Sequence, residues 1–174
     1  MEAYTRRNKP ALYFHIPFCT RKCGYCGFTS IPLDSASDNR SIVEPVVTRI
    51  IEEFLHRYTD SGLPAADTVY IGGGTPSAVP VGILEGFIRR IEYAIPEKVR
   101  EWTVEVNPES LDQELLSMLR CTPVDRLSIG VQAATAKLLD FLERNASLDD
   151  IHRSADLIGD HWRGRLSIDL MYGI

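Results

Sequence analysis

Five short apolar runs, each parted from the next by a segment of helical periodicity, constrain this chain more than any other feature. The runs are Ala11 to Ile16, Asp67 to Ile71, Trp102 to Val106, Arg126 to Gly130 and Leu166 to Leu170. Each is short, rich in aliphatic and aromatic residues and bounded by turn-forming residues, as buried strands are. Between the first two, Val43, Val46, Val47, Ile50, Ile51, Phe54 and Leu55 recur at three and four, predicting a helix over about Asp38 to Tyr58 with Pro45 in its early turns. Ile83, Leu84, Phe87, Ile88 and Ile91 mark a second helix that stops before Pro96, and Leu111 to Arg120 a third. Ala134 to Leu142 and Ile151 to Ile158 read as two more, with Ser147 or Asp149 as the cap between them. Strands that alternate with helices require right-handed crossovers and hence a parallel sheet, either open and doubly wound or curling into a barrel. Pairing order is not visible in the sequence.

A length of 174 residues predicts one domain over 1–174, and 44% hydrophobic with 25% charged residues is the composition of a globular chain without a membrane span. The net charge of −5 gives no general attraction to nucleic acid or to an anionic membrane. Arg6, Arg7 and Lys9 precede the apolar stretch Ala11 to Phe18 as in a signal peptide. That stretch, however, holds His15 and Pro17 and lacks a small-residue cleavage site, so a buried strand and a cytoplasmic location are expected. The chain stops at Ile174, directly after the fifth run and without a helix to cover it. Parallel sheets are normally covered on both faces, so an N-terminal fragment truncated after its fifth strand is expected.

Three of the four cysteines, Cys19, Cys23 and Cys26, crowd into eight positions just after the first strand. A four-cysteine zinc site needs another ligand near in sequence. Cys121 is far off at a helix end and reads as a buried structural thiol. Three thiolates suffice for a 4Fe-4S cluster with one iron left open. A zinc-binding partner-recognition module stands as the reading from another class. In parallel α/β proteins ligands sit at the carboxyl ends of strands, and here every strand brings special residues to that end. They are the cysteines, Gly72 to Gly74, Glu105 with Asn107, Gln132 and Asp169. His15 is read as packing or hydrogen bonding beside the site, with direct chemistry as the alternative, and His56, His152 and His161 as solvated.

The run from Tyr13 to Cys26 resembles the radical S-adenosylmethionine (SAM) superfamily. The phrases HIPFC, YIGGGTPS, EVNPE, RLSIGVQ and IDLMYG, in that order, are similar to the branch of oxygen-independent coproporphyrinogen oxidases and heme chaperones. The resemblance implies an incomplete parallel (β/α) barrel of α/β class, five strands of an expected six. It implies a cluster on Cys19, Cys23 and Cys26 whose open iron takes SAM, cleaved reductively to a 5′-deoxyadenosyl radical. By the same resemblance Tyr13, Gly73 and Glu105 contact one SAM, and Tyr25, Gly74, Thr75, Gln132, Arg144 and Asp169 contact it or a second copy. Porphyrin or heme and an electron donor such as flavodoxin or ferredoxin are the implied partners. Oxidases typically carry a further cysteine two positions after the third, where this chain has Phe28, and a longer segment before the first strand. Both differences favour the heme chaperone side, with coproporphyrinogen decarboxylation as the alternative. Ala133 and Asn145 depart from the usual residues of the branch.

Overall fold

A computed structural model describes residues 9–34, 37–61 and 65–174. In chain order the elements are β1 (Ala11–Ile16), β2 (Phe18–Cys19), β3 (Ile31–Pro32), α1 (Arg40–Ser61), β4 (Thr68–Gly73), a 3-10 turn (Pro76–Ala78) and α2 (Val81–Ala94). Then come β5 (Glu101–Val106), a second 3-10 turn (Pro108–Ser110), α3 (Gln113–Arg120), β6 (Arg126–Gln132), α4 (Ala136–Phe141), α5 (Leu148–His161) and β7 (Arg165–Leu170). Five strands form one parallel sheet in the order β1-β4-β5-β6-β7, and β2 pairs with β3 in a separate two-stranded piece.

That order decides between the two architectures left open by the sequence. A doubly wound sheet reverses direction at a switch point, whereas here each crossover steps the same way. Crossovers of one hand and one direction place every helix on one face of the sheet. Accordingly α1 packs on α2, α2 on α3 and α3 on α5. The fold is α/β with the winding of a barrel.

Strand alternation then gives the two faces different chemistry. Toward the helices point Phe14, Ile16, Val69, Ile71, Val104 and Leu127, buried against Val43, Val47, Leu84, Phe87, Ile88 and Leu116. Their register partners one residue on form the opposite face: Tyr13 beside Tyr70, Tyr70 beside Thr103, Glu105 beside Ser128. This polar inner face is the floor of the site. On β7 the helix-side residues Leu166, Ile168 and Leu170 are 43%, 55% and 63% exposed, and no described element covers them.

Three local expectations are corrected. The strand expected to end at Ile71 continues through Gly72 and Gly73, because these pair with His15 and Ile16 of β1. Cys121, expected to be buried, is exposed, since it caps the C-terminus of α3 where the chain turns over solvent. The helix expected over Ala134 to Leu142 is shorter, Ala136–Phe141, because Thr135 is its cap. The last helix starts at Leu148, where Ser147 and Asp150 form a capping box.

This box gives a measurable prediction. Burial by itself would raise the Asp150 pKa, but hydrogen bonds from Ser147 and the Arg153 guanidinium hold it below 3.8. A carboxyl depressed in the folded state contributes stability above its unfolded pKa and loses it as pH falls through the folded one. Ser147→Ala is expected to cost about 1 kcal/mol at neutral pH, with the deficit shrinking in acid below pH 3.8, as read by urea unfolding across pH.

Candidate functional site

The cysteine loop is tied down at both ends by main-chain bonds. Ile31 N–H donates to Pro17 O and Leu33 N–H to Cys19 O, each at 2.7 Å, closing residues 20–30 into a loop over the end of the sheet. The glycine turn is stitched to the same segment: Gly74 N–H donates to Ile16 O at 2.8 Å and Thr75 N–H to Phe18 O at 2.5 Å. From the far side Gly24 N–H reaches Leu142 O at 3.3 Å, and Arg144 Nη1 donates to Cys23 Sγ at 3.4 Å. Segments remote in sequence thus meet around one cavity.

That cavity, about 340 Å³, opens at the carboxyl ends of the strands. Cys19, Cys23, Cys26 and Tyr25 line one wall, Gly73, Gly74 and Thr75 another, and Glu105, Gln132, Arg144 and Asp169 the rest. The three thiols are free. Among the described residues no three His, Cys, Asp or Glu side chains converge as closely as a metal ion demands. Tyr13 does not line this cavity. It stands on edge strand β1, 55% exposed, its ring stacked on Tyr70 at 5.9 Å and its hydroxyl 3.2 Å from His15 Nδ1. Burial, then the nearby Glu105 carboxylate, raises its pKa.

The cavity is electrically polar. Arg21, Lys22 and Arg144 stand on the cysteine side, and Glu105 and Asp169 face them. An anionic group seated on the thiols and a cationic or zwitterionic group beside the carboxylates would both be favoured. Burial, the largest single influence, would lower the Arg144 pKa, but the Glu109 charge, Cys23 and Tyr25 together outweigh it, and the net shift is upward. Tyr25 is pushed up to about 12, first by burial and then by the Cys23 thiol, against the pull of Arg144.

Glu105 is held at both oxygens. Its Oε1 accepts from Tyr70 Oη at 2.7 Å and its Oε2 from Gly73 N–H at 2.9 Å. Burial and this bond raise the Tyr70 pKa. The close approach of the carboxylate explains Gly72, where an added Cβ would lie 2.6 Å from Glu105 Cδ. Asp169 accepts from Ser128 Oγ at 3.2 Å. Gln132 sits at a register shift between β6 and β7 with φ +65°, a left-handed conformation that turns it out of the strand's alternation. His15, by contrast, is committed to packing and hydrogen bonds: its Nε2 lies 2.8 Å from Thr29 O.

Sequence reasoning missed three polar supports: Tyr70 and Ser128 hold the two acids, and Glu109 faces Arg144. Asn107, expected at the end of its strand, donates to Thr75 Oγ1 at 2.9 Å. Period-two alternation puts Tyr70 and Ser128 on the face that carries Gly72 and Gly130, and that signal was available. The Glu109–Arg144 approach is tertiary and had none. Tyr70→Phe deletes a bond to a carboxylate and is expected to lower stability by about 1.5 kcal/mol in urea unfolding, a loss that Tyr93→Phe on an exposed ring does not share.

The family model described as the Radical SAM superfamily matches residues 13–174. The heme chaperone HemW of Lactococcus lactis is 31% identical over 96% of this chain and 42% of its own length. The oxygen-independent coproporphyrinogen III oxidase of Paracoccus denitrificans is 26% identical over 94% of this chain and 36% of its own. Among solved structures, coproporphyrinogen III oxidase (HemN) from Escherichia coli superposes with a TM-score of 0.78 at 24% identity, over 100% of this chain and 41% of that one. The chain therefore spans about two-fifths of the length of these relatives. No described helix is long and apolar enough to cross a membrane. With its cysteine loop, glycine turn and single-faced parallel sheet, the chain belongs to the radical SAM superfamily.

Proposed function

We propose that this chain is the cluster- and SAM-binding core of a cytoplasmic heme chaperone-type protein, occupying 1–174 as one domain. The observation that carries the reading is the convergence of Cys19, Cys23, Cys26, Gly73, Gly74, Thr75, Glu105 and Asp169 on one polar cavity at the strand ends. The residues fit a three-thiolate 4Fe-4S cluster: the thiols are unpaired, line one cavity, and Cys23 Sγ accepts a hydrogen bond from a buried guanidinium. When bound, such a cluster supplies the single electron that cleaves SAM.

The chain's own residues do the rest. Cys19, Cys23 and Cys26 hold the iron, and Arg144 offsets the charge of the thiolates. The glycine turn lets main chain approach the amino-acid end of SAM without side-chain interference, with Thr75 and Gln132 beside it. Glu105, fixed by Tyr70 and Gly73, and Asp169, fixed by Ser128, offer acceptors for the cofactor's cationic and hydroxyl groups. Tyr25 closes the cysteine wall and Tyr13 the β1 edge.

Heme rather than coproporphyrinogen is the proposed porphyrin. Phe28, exposed at the cavity mouth, stands where the oxidases typically have a cysteine, and the 31% identical relative is a heme chaperone. The full-length protein, reconstituted and given reductant, SAM and coproporphyrinogen under anaerobic conditions, is expected to yield no decarboxylated product by mass spectrometry, while heme titration gives a saturable Soret shift. Stepwise loss of two carboxyl groups would make it an oxidase instead. Flavodoxin or ferredoxin is the proposed reductant.

A further inference from the structure

Glu109 faces Arg144 from behind the cavity lining, and it is one of the most enclosed charges near the cysteines. Its side chain is 9% exposed, and that of Arg144 is 6% exposed. Charges taken out of water persist only where opposite charge and hydrogen bonds replace the lost hydration. Oε1 accepts from Thr20 Oγ1 at 3.2 Å and from Asn107 Nδ2 at 3.3 Å. Oε2 has no hydrogen-bond partner, and it faces Arg144 Nη2 at 4.0 Å. Arg144 in turn gives Nη1 to Cys23 Sγ at 3.4 Å and Nη2 to Gly130 O at 2.7 Å, leaving Nε unbonded.

One carboxylate therefore touches both ends of the Cys19-to-Cys23 spacer. It meets Thr20 directly, next to Cys19, and it meets Cys23 through Arg144. Asn107, which also donates to Thr75, joins the same carboxylate to the glycine turn.

We propose that Glu109 is a counter-charge for the iron-sulfur group: it faces Arg144, whose Nη1 donates to the Cys23 sulfur, and offsets part of the guanidinium's positive charge there. The inference rests on the assignment of Cys23 as an iron ligand. It has an electrostatic signature that packing lacks. A reduced cluster carries one more negative charge than an oxidised one, so its potential rises when nearby positive charge is left unbalanced and falls when that charge or its bond to sulfur is removed.

The test is an anaerobic redox titration of the reconstituted 174-residue chain, followed by electron paramagnetic resonance, with iron content measured on each sample. Glu109→Gln keeps shape and hydrogen-bonding capacity but removes the charge, and its potential is expected to shift upward at unchanged iron content. Arg144→Met is expected to shift downward, and Glu109→Asp, which keeps the charge, to stay near the parent. An unchanged or lowered potential in Glu109→Gln overturns the proposal. So does loss of iron in that variant, which would make Glu109 a structural prop of the loop. Absence of iron from the parent chain would remove the cluster reading itself, and this proposal with it.

Discussion

Alanine at Cys19, Cys23 or Cys26 is expected to reduce bound iron after anaerobic reconstitution to background, whereas Cys121→Ala retains the parent's iron. Two thiolates leave a cubane with two unprotected irons, and the cavity residues that adjoin the cysteines in sequence, Arg21, Lys22 and Tyr25, are cationic or weak ligands. Cys121 lies at the C-terminal cap of α3, exposed, with its carbonyl taken by Arg89. Iron per chain, measured alongside far-UV circular dichroism, checks both halves. Iron retained in a Cys23→Ala protein, or lost from the Cys121 variant, contradicts the assignment.

Gly73→Ala is the second large effect. Gly73 has φ +110°, where an L side chain is strained whatever its surroundings, and an added Cβ would stand 2.4 Å from His15 Nδ1. The ring cannot swing aside without giving up its 2.8 Å contact with Thr29 O. Movement of the main chain instead breaks the 2.9 Å bond from Gly73 N–H to Glu105. Either way about 2 kcal/mol or more of stability is expected to be lost, and SAM affinity to fall at least about tenfold. Gly82→Ala in α2 meets nothing within 4 Å and is expected to gain about 0.5 kcal/mol, which makes it the control. Urea unfolding and SAM titration read both changes. Equal stability of the two variants would show that the turn is not under the constraint described.

The physical nature of each feature determined what could be read from residues alone. Period-two and period-3.6 patterns are local, so the five long strands and the main helices lay near the expected positions. The order of the sheet depends on which strands meet, and no local pattern encodes it. The pairing of Phe18–Cys19 with Ile31–Pro32 was illegible because two residues carry no periodicity. Gly72 and Gly73 were read as loop because glycine normally breaks strands, and here the Glu105 carboxylate occupies the space a side chain at Gly72 would fill and the His15 ring the space at Gly73. At the site, the cysteines were legible from their spacing, a one-dimensional property. The hold of Arg144 on Cys23 joins residues 121 positions apart, and the enclosure of Glu109 exists only once the loops have met. Cys121 was misplaced because an apolar helix pattern does not show where its last turn leaves the core.

Anaerobic reconstitution of the purified chain with iron and sulfide, beside a parallel titration with zinc, decides whether the three cysteines hold a cluster. About four iron and four sulfide per chain with broad visible absorption are expected, with a change in the reduced cluster's paramagnetic resonance when SAM is added, as an open iron requires. Stoichiometric tight zinc binding with no iron-sulfur absorption would contradict it and assign the cysteine loop to a structural, partner-recognising role.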